Sequence, residues 1–244
     1  MSLEMLLRAI PVVLTGLKLT LLITLAAFAL GQAVALPIAL GRVSKFRLLR
    51  GLTWLYTFLL RGSPLLVQLF ILYYGLAQFP AVRSSVFWPV LRDPVYCAIL
   101  AIGINSSAYV AEVIAGGICK IPAGQFEACV SLGLTRRRTF IDVVLPQTYR
   151  AIFPSIGNEI ILVLKASSLA SAVTVMEMTG AARAFTAKTY APFEVFIVAG
   201  LVYLLVGFVF SLIFRVSESA LFRSTGPGSS KAAVTGRRPA EMTS

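Results

Sequence analysis

One segment of the chain combines a carboxylate, a glycine, arginines and a proline between long apolar runs. In sequence order its candidate contact residues are Glu127, Ala128, Gly133, Arg136, Leu145 and Pro146. The stretches 125–132 and 135–144 favour helix, and glycine permits a sharp turn between two short helices. A carboxylate near the start of the first helix favours the helix dipole. These residues suit noncovalent binding of a soluble partner or of anionic lipid, although the arginines alone are equally well explained as topology signals.

The segment is spaced as Glu-Ala-Cys, three residues, Gly, nine residues and Val-x-Leu-Pro. It resembles the EAA loop of ABC-transporter permeases, which docks into a cleft of the ATP-hydrolysing subunit. Cys129 replaces the usual Ala, and Val143 replaces the usual Ile. A second segment, residues 61–68, resembles the Arg-Gly-Thr-Pro-Leu segment of polar amino acid permeases. On these segments the chain, over about residues 15–222, is similar to a permease subunit of an ABC-type amino acid importer.

Within that family, three segments look most like the permeases for basic amino acids and opines: 105–109, 115–118 and 189–193. That subgroup imports histidine, lysine, arginine, ornithine or related conjugates. The resemblance implies a type I ABC importer permease fold in the bacterial inner membrane. It also implies a second permease subunit, identical or paralogous, two ATPase subunits that hold ATP and Mg, and a periplasmic substrate-binding protein. The loop 127–146 would then transmit ATP-driven closure to an alternating-access path.

The composition indicates that lipid is the solvent for much of the chain. Its 244 residues are 58% hydrophobic and 13% charged, with a mean hydropathy of +0.86, whereas a soluble domain carries roughly 25% charged residues. Four runs without charge, 19–41, 62–82, 94–111 and 195–214, reach or approach the roughly 20 residues that span a bilayer as a helix. A fifth run, 151–176, is interrupted by Glu159 and Lys165. The sequence therefore predicts an all-α membrane protein with five transmembrane helices.

The same runs predict boundaries within a transmembrane domain over residues 1–222. We expect a short outer-leaflet helix over 1–18, a short helix near the cytoplasmic surface over 52–60, and a second span that begins at Pro64, where a missing amide costs least. The later boundaries are 95–118 for the third span, 119–146 for the cytoplasmic coupling loop, 151–175 for the fourth span, and 215 for the end of the fifth. Residues 223–244 have the composition of a disordered cytoplasmic tail.

Basic residues account for the net charge of +12, and they are concentrated in alternate loops. One group, residues 42–50, follows the first apolar run, a second lies in the loop 119–146, and a third lies in the tail. Because basic residues accumulate on the cytoplasmic side, the pattern predicts an outside N-terminus and an inside C-terminus. Topology and contact with membrane lipid explain the excess charge, so we expect no nucleic acid partner.

The chain has no histidine and no Gly-x-x-x-x-Gly-Lys-[Ser/Thr] phosphate loop. It therefore offers no Ser–His or Cys–His pair and no site for ATP hydrolysis. Cys97, Cys119 and Cys129 do not have the spacing of a metal site or of a disulfide framework. We predict a non-catalytic subunit that has neither metal nor cofactor of its own, with ATP and Mg on the partner ATPase.

Polar side chains within the apolar runs are the candidates for a substrate path, because such groups are costly in hydrocarbon. Asn105, Tyr109 and Glu112 recur at i, i+4 and i+7 and so share one helix face. The remaining candidates are Asn158, Glu159, Ser167, Ser168 and Glu177. Two alternatives stay open for the first group: a buried hydrogen bond to Ser106 or Ser107, or a position of Glu112 at the cytoplasmic surface. The carboxylates favour a cationic substrate, whose α-carboxylate the serines around Ser168 would bind.

Arg61 and Lys165 are assigned to structural ion pairs or to a subunit interface. Arg61 either extends its long stem to lipid phosphate or forms an ion pair with Glu159 or with a neighbouring subunit. Lys165 lies six residues after Glu159, so the two do not pair within one helix. Lys165 shares its helix face with Asn158 and needs a partner from elsewhere.

Two other classes of function remain. In an ion-coupled secondary transporter or channel subunit, Glu112, Glu159 and Glu177 would be proton or cation sites, but the charged loop 119–146 would be unexplained. In a passive membrane scaffold, that loop would recruit a soluble partner without transport. Uptake into vesicles distinguishes these classes, because only an ABC importer requires an added ATPase.

Overall fold

The computed structural model describes residues 2–222, which form helices and their connections without a β-strand. The all-α prediction is confirmed for this part of the chain. The tail predicted over 223–244 lies outside the described residues. In chain order the α-helices are α1 (Leu3–Thr15), α2 (Leu17–Arg42), α3 (Arg47–Gly62), α4 (Leu65–Phe70), α5 (Pro80–Arg83), α6 (Trp88–Leu91), α7 (Pro94–Cys119), α8 (Ala123–Ser131), α9 (Arg136–Arg138), α10 (Leu145–Ser167), α11 (Met178–Thr189) and α12 (Pro192–Phe222).

Within residues 2–222, four helical stretches are long and apolar enough to cross a bilayer. They are α2, α7, α12 and the stretch Arg136–Val173, which contains α9 and α10. A fifth candidate is a pair of helical segments, Arg47–Gly62 and Leu65–Gln78, with a bend of 102° between them. Four spans, or five with the bent pair, agree with the prediction from the apolar runs.

The bend between α3 and α4 lies at Ser63 and Pro64. Ser63 has extended φ and ψ values of −113° and 146°, as expected for a residue that precedes proline. Pro64 then caps α4, which continues through a π-turn (Ile71–Gly75) and a 3₁₀ turn (Leu76–Gln78). The predicted start at Pro64 is correct, but the predicted short helix over 52–60 is too short, because α3 begins already at Arg47.

The prediction of a separate helix over 135–144, followed by a span from residue 151, is wrong. Helix α9 passes through a π-turn (Thr139–Val144) directly into α10, and the helical stretch extends from Arg136 to Val173. Pro146 did not end this helix because it lies in the first turn of α10, next to the π-turn, where one missing amide is accommodated. The second half of the loop predicted over 119–146, from Arg136 onward, is therefore continuous in helix with the fourth span.

Small residues allow α2 and α7 to pack closely. A Cβ atom at Gly31 would lie 3.0 Å from the Ser106 Oγ, and one at Gly103 would lie 3.0 Å from the Ala27 carbonyl oxygen. Close backbone approach through small side chains is the common way in which helices associate in a membrane. This pair of helices forms the centre against which α3, α4 and α10 pack.

A second cluster joins α1 and α11 to the start of α12. Its buried members include Val13, Met178, Ala182 and Val195. The remainder of α12 exposes large apolar side chains such as Leu204 and Phe208, which are 70% and 63% exposed. Such a face suits lipid or another subunit rather than water.

Candidate functional site

The charged segment identified from the sequence forms α8, a tight turn and the start of α9. Glu127 and Ala128 are exposed on α8. The prediction that Glu127 lies near the start of this helix is wrong, because α8 begins at Ala123 and has no acidic residue in its first turn. Its carboxylate is therefore available to a partner rather than used as a helix cap.

Gly133 ends α8 with a complete set of terminal hydrogen bonds. Its φ of +71° lies in the left-handed region, which glycine adopts without the Cβ penalty. The Gly133 amide donates to the Val130 carbonyl at 2.9 Å, and the Leu134 amide donates to the Cys129 carbonyl at 3.0 Å. This is the Schellman arrangement, so the predicted glycine turn is confirmed. The Thr135 hydroxyl then caps α9 by accepting from the Arg138 amide at 3.3 Å.

The turn presents apolar and cationic side chains together. Val130 and Leu132 are 72% and 78% exposed. Arg136 is also exposed, as are Arg137 and Arg138, which follow it. At the far end of the segment, Pro146 is exposed while Leu145 is half-buried. An exposed apolar patch rimmed by charge is typical of a protein-binding surface.

The polar face of α7 that the spacing predicted turns toward α3 and α4. The Asn105 Nδ2 atom donates to the Leu60 carbonyl oxygen at 2.9 Å and to the Gln68 Oε1 atom at 3.1 Å. Asn105 thus connects α7 to both sides of the bend at Pro64, and the alternative of a hydrogen bond to Ser106 or Ser107 does not hold.

Glu112 forms an ion pair that sequence reasoning missed. The Arg42 Nε atom donates to its Oε1 atom at 2.6 Å, and the Thr57 hydroxyl donates to the same oxygen at 2.7 Å. Both charged side chains are largely buried, 20% and 25% exposed. In the sequence, Arg42 belongs to a group of basic residues that membrane topology already explained. No local signal marked it as a partner of a carboxylate. The pairing favours a structural role for Glu112 over substrate contact.

Arg61 does not pair with Glu159. Its guanidinium carbon lies 5.2 Å from the centre of the Tyr109 ring, a cation–π distance. Among residues 2–222 it takes part in no ion pair. A cavity of about 390 Å³ lies here, and α3 forms one of its sides. Its lining includes Arg42, Arg61, Tyr109 and Glu112.

Glu159 lies on the face of α10 that packs against α7. Its Oε1 atom accepts a hydrogen bond from the Ser106 hydroxyl at 2.6 Å, and among the described residues it has no cationic partner. It lines a cavity of about 240 Å³ together with Asn105, Ser106 and Tyr109. The structure therefore brings Asn105, Tyr109 and Glu159 together, whereas Asn158 and Lys165 line separate cavities between α10 and α12.

Glu177 is fully buried, and its oxygens cap α11. The amides of Thr179 and Gly180 donate to the carboxylate at 2.9 Å each, and the Tyr203 hydroxyl donates at 2.6 Å. Burial raises the pKa of the Glu177 carboxyl, while these hydrogen bonds oppose the rise. A Cβ at Gly16 would collide with the Glu177 backbone, so the turn between α1 and α2 seals this carboxylate. Its enclosure favours a capping role over a place on a substrate path.

The serines that sequence reasoning assigned to the substrate make local bonds. Ser167 donates to the Leu164 carbonyl and Ser168 to the Lys165 carbonyl, at 2.7 Å each. Each serine thus donates its hydroxyl proton to the carbonyl oxygen three residues earlier in the chain. Within residues 2–222, no cluster of His, Cys, Asp and Glu could hold a metal ion.

Comparison with known proteins establishes the class of this chain. Residues 31–223 match the family of binding-protein-dependent transport system inner membrane components, and the chain belongs to that family. It is thus an inner-membrane permease, and the exposed α8 segment is the EAA loop characteristic of such permeases.

Individual relatives share most of their length with the chain. It is 44% identical over 209 residues to the octopine transport system permease protein OccM of Rhizobium radiobacter, covering 86% of this chain and 85% of the relative. It is 33% identical over 216 residues to the histidine/lysine/arginine/ornithine transport system permease protein HisM of Escherichia coli K12, covering 88% and 91%. A solved amino acid ABC transporter with histidines is 32% identical and superposes with a TM-score of 0.79 over 90% of this chain and 99% of that one. The type I importer permease fold is thereby confirmed.

Proposed function

We propose that this chain forms the translocation path of an ATP-driven importer for basic amino acids or opines. The relatives named for octopine and for histidine, lysine, arginine and ornithine transport support this substrate class. The observation that carries it is Glu159, which lines a cavity within the span and has no cation among the described residues to neutralise it. A carboxylate in a span is costly, and a cationic substrate offsets that cost.

The partners follow from the loop and from the chain's composition. A separate pair of ATPase subunits binds ATP and Mg and docks on the surface around Glu127, Gly133 and Arg136. A second permease subunit completes the path, and a periplasmic binding protein delivers the substrate. Support comes from the exposed apolar patch at Val130 and Leu132, which would be unfavourable in water without a partner.

The proposed orientation places the N-terminus outside and the α8 segment inside. In a cysteine-free background, Ser84→Cys, before α6, should react with an impermeant maleimide in intact cells. Ser131→Cys, at the end of α8, should react only after permeabilisation. Reaction of both sites in intact cells would contradict the orientation and the span count.

The function is tested by reconstitution of the permease with its cognate ATPase and binding protein in vesicles. We expect ATP-dependent uptake of arginine, lysine, histidine or octopine, and none when the ATPase is omitted. Glu159→Gln should reduce uptake of the cationic substrates by about 10-fold or more, since a hydrogen bond to a charged group is worth about 1.5–3 kcal/mol.

Three outcomes would reject the proposal in different ways. Uptake of glutamine alone would reject the basic substrate class. Uptake driven by an ion gradient without ATPase would support a secondary transporter or channel. Recruitment of the ATPase without any uptake would support a passive scaffold.

A further inference from the structure

We propose that Arg61 is the carboxylate anchor of the substrate site, so that the amino acid binds with its α-carboxylate at Arg61 and its side-chain cation at Glu159. The proposal rests on the proposed function, since it assumes a basic amino acid or an opine as substrate. It assigns to the permease itself a recognition of both ends of the substrate.

Arg61 is exposed, and within residues 2–222 its guanidinium forms no hydrogen bond. Two arginines line the 390 Å³ cavity, but Arg42 is engaged by Glu112. Within residues 2–222 the Arg61 guanidinium lies over the face of the Tyr109 ring and interacts electrostatically with Glu112, and neither interaction is a hydrogen bond from its N–H donors. Guanidinium binds carboxylate through two parallel hydrogen bonds, so Arg61 is suited to a carboxylate ligand.

The charge of the cavity also favours an anion. Among the described residues its charged lining consists of two guanidinium groups, Arg42 and Arg61, and one carboxylate, Glu112. Two positive charges therefore face one negative charge, so the lining keeps a net positive charge although Glu112 also interacts electrostatically with Arg61. The neighbouring 240 Å³ cavity has the opposite balance, since Glu159 is the one charged residue among its lining residues within 2–222.

Tyr109 joins these two cavities, because it lines both of them. Along α7, Ser106 marks the level of Glu159 and Tyr109 marks the level of Arg61. Three residues of helix separate these two levels by about 4.5 Å along the axis of α7. An extended basic amino acid carries a carboxylate at one end and a cation at the other, which matches two poles of opposite sign beside one tyrosine.

The backbone beside Arg61 is held in place from α7. The Leu60 carbonyl oxygen accepts from Asn105 Nδ2 at 2.9 Å and from Gln68 Nε2 at 2.8 Å. These bonds hold the end of α3 against α7 and α4 immediately before the bend at Pro64. A charged group carried by a fixed backbone loses less entropy on binding than one on a mobile loop.

The test measures binding of labelled arginine and labelled octopine to the membrane complex of permease and ATPase subunits in lipid nanodiscs. Competition with agmatine, which is arginine without its carboxylate, isolates the anchor. The wild-type complex should prefer arginine over agmatine by about 10- to 100-fold, as expected for one charge-assisted hydrogen-bonding contact. Arg61→Gln should abolish this preference by weakening arginine binding, without weakening agmatine binding. Glu159→Gln should weaken arginine and agmatine by the same factor.

Two further variants control for folding and for general charge. Arg61→Lys retains the positive charge without the planar guanidinium that forms two parallel hydrogen bonds, and it should keep part of the preference for arginine over agmatine. Arg50→Gln removes an exposed charge from the same helix and should behave as wild type. Preserved preference in Arg61→Gln, equal weakening of both ligands, or no ligand binding to a complex that transports arginine would overturn the anchor. Absence of any ATP-dependent uptake of basic amino acids or octopine in vesicles would instead reject the proposed function.

Discussion

Substitution of Gly133 should uncouple ATP hydrolysis from substrate delivery without preventing insertion. At φ +71°, a β-branched residue is strained by about 1–3 kcal/mol. The two turn hydrogen bonds at 2.9 and 3.0 Å contribute about 1 kcal/mol each and would be lost with the turn. The backbone strain alone lowers the population of the native turn by roughly 5- to 150-fold relative to other conformations.

Steric exclusion does not account for this effect. A Cβ added at Gly133 meets no atom within 4 Å, so Gly133→Val acts through the backbone alone. Gly133→Asn is the matched control, because asparagine tolerates the left-handed region. The expected order of coupling is wild type, then Asn close behind, then Val far below.

The assay is stimulation of ATPase activity by substrate-loaded binding protein in reconstituted vesicles. Gly133→Val should insert and assemble but lose most of the stimulation, whereas Gly133→Asn should keep most of it. Equal stimulation in wild type and Gly133→Val would refute the docking role of the turn. Equal loss in the Asn and Val variants would show that the backbone conformation is not the cause.

Two further predictions concern stability. Glu112→Gln should lower the melting temperature of the solubilised protein, because it leaves the charge of Arg42 unpaired. The double variant with Arg42→Gln and Glu112→Gln should recover part of the lost melting temperature. A double variant no more stable than Glu112→Gln would contradict the pairing. Gly103→Ala should destabilise the protein by about 1–3 kcal/mol, because its Cβ would lie 3.0 Å from the Ala27 carbonyl oxygen. Gly116→Ala on the same helix is the control: its Cβ meets no atom within 4 Å, so it should be neutral or stabilising. Equal melting temperatures of the two alanine variants would contradict the close packing of α2 and α7.

Local patterns predicted the elements of this fold well. The charge-free runs located the spans because bilayer thickness sets a minimum helix length. The positive φ of Gly133 was predictable since few residue types end a helix in that way. The continuity of Arg136–Val173 was not, because proline usually signals a helix boundary, and only the structure shows Pro146 in the first turn of α10 beside a π-turn.

Long-range pairing was the part that sequence reasoning could not supply. Arg42 and Glu112 are 70 residues apart, and nothing near either one distinguishes it from a topology signal or a substrate ligand. The same holds for Glu177, whose partner Tyr203 comes from a later helix. Which polar groups meet depends on how α2, α7 and α12 are packed, and an isolated helix pattern does not contain that information.

The three carboxylates of the bundle were equivalent in sequence, and their partners now separate them. Glu112 has an arginine, so its charge is neutralised within the chain. Glu177 has four hydrogen-bond donors and no solvent access, so its oxygens are already occupied. Glu159 has one serine and an adjoining cavity. A group that keeps unused acceptor capacity beside a cavity is the one to which a cationic ligand adds most, and this difference selects Glu159 for the proposed substrate contact.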